Sequence, residues 1–185
     1  MAASLRRLTA FAESLPSNLV KQERQLALEL ARLNASAKVK MRKVHQLIDK
    51  FGAATDGKVA CKKGCSDCCK MNVTISDIEA AQIADHTGRR AVALKTSQMP
   101  DSSKFLGQPC PFLTANECSI YDHRPMACRQ YFSFDETAYW CHPSRSLTVE
   151  LKQLSLSGID DAYMQILTAR GTSHNLADIR DFFPD

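Results

Sequence analysis

From Leu19 to Phe51 the apolar residues fall in steps near three and four: Leu26, Leu30, Leu33, Ala37, Met41, Val44, Ile48 and Phe51. Steps of that size keep one face of a helix apolar, so the pattern predicts a long amphipathic helix. Ahead of it, Leu5, Leu8, Ala12 and Leu15 mark a short helix that stops at Pro16. Ser17 or Asn18 can cap the next one. Gly52 is placed to end the long helix in a left-handed conformation. The stripe serves packing within the chain, or else a helical hairpin, a dimer or a protein partner.

Later patterning is shorter-ranged. Thr55-Asp56-Gly57 reads as a turn, and Val73-Thr74-Ile75 as a short extended piece. Ser76 with Glu79 forms a capping box ahead of a helix over 77–87, which Gly88 ends. Residues 95–109 are polar, with Pro100, Gly107 and Pro109, and read as a loop. Phe112-Leu113 and Ser119-Ile120-Tyr121 flank a turn as a small hairpin. Pro125 opens a short helix. Residues 147–156 carry no decisive pattern. A helix follows over 159–170, ended by Gly171, and a last short one over 175–183, capped by Ser173. The expected fold is mainly α with little β. It has a helical extension (1–54), a small metal-stapled cysteine domain (55–145) and a C-terminal helical tail (146–185) packing on it.

With 185 residues, 44% hydrophobic and 24% charged, the chain describes a globular protein. No apolar run is long enough to span a bilayer. Residues 1–14 carry Arg6 and Arg7 but no apolar core ahead of a cleavage site, which makes a poor signal peptide and at most a weak transit peptide. A reducing cytoplasm is the expected location, and free or metal-bound thiols are expected over disulfides.

Charge is uneven. Residues 1–70 carry 14 Lys and Arg against 6 Asp and Glu, and residues 71–185 carry 10 against 14. No aromatic-interleaved basic patch or reading motif accompanies the excess, so nucleic acid is not the expected partner. Clustered thiolates offer a simpler use for positive charge.

Four of the eight cysteines crowd into nine residues: Cys61, Cys65, Cys68 and Cys69. Cys110, Cys118, Cys128 and Cys141 follow at intervals. Close spacing lets thiolates converge on a metal at little cost in loop entropy. Cys65-x₂-Cys68 can present both sulfurs to one ion, and Gly64 supplies backbone freedom beside them. The neighbours Cys68 and Cys69 are expected to diverge, so that they serve different sites or one is not a ligand. The spacing matches neither paired-histidine zinc fingers nor the ferredoxin run. Cys61-x₃-Cys65-x₂-Cys68 has the three-cysteine spacing of radical S-adenosylmethionine enzymes, but it follows a long helix where those have a barrel strand.

Cys61…Cys65-x₂-Cys68-Cys69, then Cys110-Pro-Phe-Leu, then Cys118-Ser-Ile-Tyr121-x₂-Arg124-Pro125-x₂-Cys128-Arg129-x-Tyr131 resembles the YkgJ-like cysteine-cluster family. These are described as candidate zinc- or iron-chelating domains or iron–sulfur-cluster-containing proteins. The resemblance covers roughly residues 58–142. It implies Cys61, Cys65, Cys68, Cys69, Cys110, Cys118 and Cys128 as metal ligands. Cys141 stands at the end of the match, where Cys141-His142 offers either sulfur or imidazole. One larger relative class, the flagellin lysine methylases, joins an iron–sulfur site to S-adenosylmethionine, but the extra domain that chemistry needs is not legible here.

Arg124 and Arg129 flank Cys128, where guanidinium groups can offset thiolate charge and orient sulfur; the plainer use is an ion pair such as one with Asp122. Tyr121, Tyr131, Phe112 and Phe132 can form an apolar shell, and His123 can lie in a second layer. His45, His86 and His174 read as structural or exposed. The favoured function is an iron–sulfur protein engaged in redox or cluster-dependent chemistry, as the partner of an enzyme. The alternative is a zinc-stabilised structural or protein-interaction module whose N-terminal helices hold a partner. No Ser/His/Asp arrangement, phosphate-cradling glycine motif or carboxylate pair marks a hydrolase or kinase, and whether the protein is itself an enzyme stays open.

Overall fold

The computed structural model describes residues 2–62, 64–98 and 104–184; Pro100 of the expected loop lies outside them. The protein is mainly α with little β, as the patterning predicts. Helices α1 (Ala2–Ser14), α2 (Ser17–Arg32) and α3 (Ala37–Ala54) open the chain.

The apolar stripe from Leu19 to Phe51 therefore belongs to two helices, not one. The chain turns extended at Leu33, and the Ser36 side chain caps α3 by accepting from the Val39 N–H. The Ser36 cap starts a new helix there, while the apolar stripe runs on through the break. Gly52 lies inside α3, where a Cβ would meet the Phe132 ring at 3.8 Å, and the helix continues to Ala54. The left-handed glycine of this segment is Gly57 (φ 67°).

After a 3₁₀ turn at Asp67–Lys70 come β1 (Thr74–Ser76) and α4 (Asp77–Thr87). The Ser76–Glu79 capping box forms as expected, and Gly88 ends α4 at φ 72°. Strands β2 (Leu113–Thr114) and β3 (Glu117–Cys118) make the hairpin, shorter than expected, around Ala115 (φ 49°) and Asn116 (φ 65°). Positive φ at both turn positions matches the right-handed twist of paired strands. A 3₁₀ turn at Tyr121–His123 leads into α5 (Met126–Arg129), and another at Ala138–Cys141 leads into α6 (Pro143–Ser146).

Helix α7 (Ser157–Leu167) packs on α2 and α3, where their shared stripe is spent. Glu23, buried on α2, accepts from the backbone N–H of Gly158 (2.5 Å) and Ile159 (3.3 Å), so a neighbouring helix satisfies the start of α7. The last expected helix resolves into strand β4 (Leu176–Asp178) and a short helix α8 (Ile179–Phe182). Strand β4 pairs antiparallel with β1, Ile75 opposite Ala177, which satisfies backbone groups that β1 would otherwise leave open. Asp178, not Ser173, caps α8.

Two apolar clusters result. One gathers α1, α2, α3 and α7 with Phe132 and Phe134. The other gathers Val73, Ile75, Ile83, Phe112, Ile120, Ile179, Phe182 and Phe183, with Cys110, Cys118 and Cys128 packed against it. Among the described residues no helix is long and apolar enough to cross a membrane.

Candidate metal centre

All eight cysteines are free thiols; Cys141 is buried and the other seven are half-buried. They line two adjoining cavities. The larger, about 610 Å³, is walled by Cys61, Cys65, Cys68, Cys128 and Cys141. The smaller, about 50 Å³, is walled by Cys65, Cys68, Cys69, Cys110, Cys118 and Cys128. Cys61 and Cys141 thus belong to the larger alone, and Cys69, Cys110 and Cys118 to the smaller alone. Among the described residues no three His, Cys, Asp or Glu side chains are already drawn together as a ready-made ion site.

Local structure explains each position in the larger cavity. The segments around Ala60 and Ser133 run together: the Ala60 N–H donates to the Ser133 carbonyl at 2.8 Å, and the Ser133 N–H donates to Cys61 Sγ at 3.2 Å. Cys61 Sγ in turn donates to the Tyr131 carbonyl at 3.5 Å. Burial raises the Cys141 thiol, against the Ser133 side chain bonded to it; Cys61, Cys65 and Asp67 face it. Ser133, a residue without a sequence signal, therefore touches two cysteines 80 positions apart. His142 does not line either cavity. Its Nδ1 accepts from the Ser144 N–H at 3.3 Å as the cap of α6, so sulfur is what Cys141-His142 turns to the cavity.

The smaller cavity is tied at the backbone. The Cys110 N–H donates to the Cys69 carbonyl at 2.7 Å, and the Leu113 N–H donates to the Cys110 carbonyl at 2.9 Å. Leu113 sits opposite Cys118 in the hairpin. Arg180 locks the loops around Cys69 and Cys110 together. Its guanidinium donates to the carbonyls of Gln108 (2.6 Å), Pro109 (3.2 Å), Met71 (3.2 Å) and Cys69 (3.2 Å), and pairs with Asp178 at 2.9 Å. Arg180 lies far beyond the cysteine motif, and its partners are carbonyls, which leave no mark on a sequence.

The Cys68 and Cys69 sulfurs lie close to each other, yet only Cys68 reaches the larger cavity. The Cys68 thiol donates to the Cys69 sulfur, which with Arg124, Arg180 and Lys70 nearby brings Cys69 down to about 7 despite its burial. The same bond and burial push Cys68 strongly up. Burial likewise pushes Cys110 up to about 11, and raises Cys61, Cys118 and Cys128. A buried thiol resists ionising in the absence of a cation, so a metal that binds here must displace protons.

Arg124 lines both cavities and lies over the Tyr121 ring at 3.7 Å. Its charge lowers Cys61, Cys69, Cys118 and Cys128. Arg129 reaches the larger cavity too, but its guanidinium is committed to Asp49 (2.6 Å and 2.7 Å) and to the Asp122 carbonyl (2.6 Å). The carboxylate it pairs with is Asp49 on α3, not Asp122. Tyr131 and Phe132 line the larger cavity and Tyr121 both, whereas Phe112 packs edge-on against Phe183 in the second core. His123 stacks on His86 and lines neither thiol cavity.

A donor set dominated by thiols suits zinc, iron and iron–sulfur clusters, and is wrong for magnesium or calcium. Residues 60–145 match the family model CxxCxxCC, described as "Putative zinc- or iron-chelating domain". This segment is thus similar to the cysteine-cluster domain of that family. No curated protein and no solved structure matches the chain. The cysteine-cluster domain contains all eight thiols, while three groups that support them lie outside the match: Asp49 on α3, and Asp178 and Arg180 near the C-terminus.

Proposed function

We propose that the cysteine-cluster domain holds an iron–sulfur cluster in its larger cavity, with Cys61, Cys65, Cys68 and Cys141 as ligands. The supporting observation is room: five thiols border a cleft of about 610 Å³ that also runs past Asp49, Gly57 and Ala138. A single tetrahedral zinc, with four sulfurs at about 2.3 Å, needs far less room. When bound, the cluster supplies one-electron redox chemistry at thiolate-ligated iron. The chain's own residues then have separate roles. Arg124 offsets thiolate charge, and the Ser133 N–H donates to the Cys61 sulfur, an interaction that raises a cluster's potential. Tyr131 and Phe132 restrict water.

The biological role that follows is redox or cluster-dependent chemistry in concert with an enzyme. A protein partner meets the N-terminal helices, where Leu5 and Leu28 stay exposed (49% and 62%) although the main stripe is spent on α7. Serine substitution tests the ligand set. Cys61→Ser and Cys141→Ser are each expected to lose iron and sulfide together; full retention in both would refute the assignment. The second reading, a zinc-stabilised structural module, draws its support from the smaller cavity.

A further inference from the structure

We infer that the smaller cavity is a second, independent metal site, in which Cys69, Cys110, Cys118 and Cys128 hold one divalent ion of the zinc class. This inference rests on the domain being a metal chelator, not on what the larger cavity carries.

Three observations support it. The first is the division of thiols. Cys69, Cys110 and Cys118 border the smaller cavity only, and Cys61 and Cys141 the larger only. Cys65, Cys68 and Cys128 border both, and Cys128 faces Cys110, Cys69 and Cys118 as well as Cys68. Cys65 and Cys68 both face Cys61, so assigning them to the larger site and Cys128 to the smaller gives four thiols for each, with every cysteine used once.

The second observation is room. The smaller cavity offers about 50 Å³ against about 610 Å³ for the larger. The narrower space suits one ion better than a sulfide-bridged cluster. Val73, Ile120 and Ile179 make part of its wall apolar.

The third is the cradle. Cys69 and Cys110 are joined by a 2.7 Å backbone hydrogen bond, and Arg180 fastens both loops from behind through the Cys69, Gln108 and Pro109 carbonyls. Cys118 is carried to the cavity by a hairpin anchored where the Leu113 N–H meets the Cys110 carbonyl at 2.9 Å. The backbone is thus arranged before the ion arrives, and the sulfurs still have to close on it. As they close, the four thiols release their protons to solvent. The resulting doubly negative centre is offset by Arg124 and Arg180, which both face Cys69. Its consequence is mechanical: one ion would fasten the 67–70 turn, the 108–113 loop, the hairpin and α5 to one another.

The test uses the full chain, stripped of metal anaerobically and titrated with Co²⁺, whose tetrathiolate complexes absorb intensely. Cys110→Ser and Cys118→Ser should each lose one equivalent of tetrathiolate Co²⁺. They should leave the iron and sulfide content of anaerobically purified protein unchanged, while Cys141→Ser should lose iron and sulfide and keep the Co²⁺ equivalent that depends on Cys110 and Cys118. Loss of iron and sulfide in Cys110→Ser and Cys118→Ser as complete as in Cys141→Ser would overturn two separate sites. If wild type holds no iron or sulfide, yet Cys118→Ser and Cys141→Ser each remove a different Co²⁺ equivalent, the iron–sulfur reading fails and this inference stands. Alkylation mapping on wild type makes the test independent of variant folding. Under graded chelation, Cys69, Cys110, Cys118 and Cys128 should become reactive as one group. Joint release of all eight thiols would contradict the inference.

Discussion

The Glu79 carboxylate on α4 accepts a 2.7 Å hydrogen bond from the backbone N–H of Met126, two residues ahead of Cys128. The same buried carboxylate takes the Ser76 N–H at 3.0 Å, the Tyr163 hydroxyl at 2.8 Å and His45 at 3.1 Å. One side chain therefore ties α3, α4, α7 and the start of the helix that carries Cys128.

Glu79→Ala is expected to destabilise the protein by about 3–5 kcal/mol, because it leaves several buried donors without an acceptor. Glu79→Gln should cost less, since the amide oxygen still accepts. Urea unfolding of the two variants beside wild type measures the difference; equal stability of Glu79→Ala and wild type would contradict this role.

The same network fixes a pH dependence. Burial pushes the Glu79 carboxyl up, but His45 and the Met126 and Ser76 N–H groups outweigh it and hold it below its usual value. A carboxyl lowered in the folded state adds stability above its unfolded pKa of about 4.3, and that stability is lost as pH falls further. Metal-free wild type should accordingly lose stability below about pH 4.3, and Glu79→Gln should lose less of it over the same range. Parallel pH profiles for the two proteins would count against the assignment.

Arg180→Ala should weaken the smaller site and spare the larger. It strands the Asp178 carboxylate and the carbonyls that fix the Cys69 and Cys110 loops, at a cost of about 3–5 kcal/mol. Arg180→Lys should not rescue it, since an ammonium cannot span that fan of acceptors. Metal content per chain provides the measurement, with the Co²⁺ equivalent of the smaller site expected to fall first.

Gly158→Ala is expected to destabilise the contact of α7 with α2 by about 1–3 kcal/mol. A Cβ at Gly158 would run into the backbone carbonyl of Glu23. Thermal unfolding should show the loss, with cysteine metal content unchanged at temperatures where the chain is folded.

Local rules made part of this structure legible in the sequence. Helix α4 with its Ser76–Glu79 box, the hairpin and the helix after Pro125 depend on neighbours a few residues away. The break between α2 and α3 was hidden because the apolar rhythm continues through it. Strand β4 was hidden because its partner β1 lies about a hundred residues earlier, and a three-residue segment has no period of its own. The cysteines were legible as a set, but not their division between cavities, which depends on how Ser133, Arg180 and the hairpin bring distant loops together.

Visible spectroscopy with iron, sulfide and zinc analysis, on wild-type protein purified without oxygen, tests the central claim most directly. The proposal predicts brown protein with iron and acid-labile sulfide bound per chain, bleached by air or chelator. Colourless protein carrying stoichiometric zinc, unchanged after attempted cluster reconstitution, would contradict it.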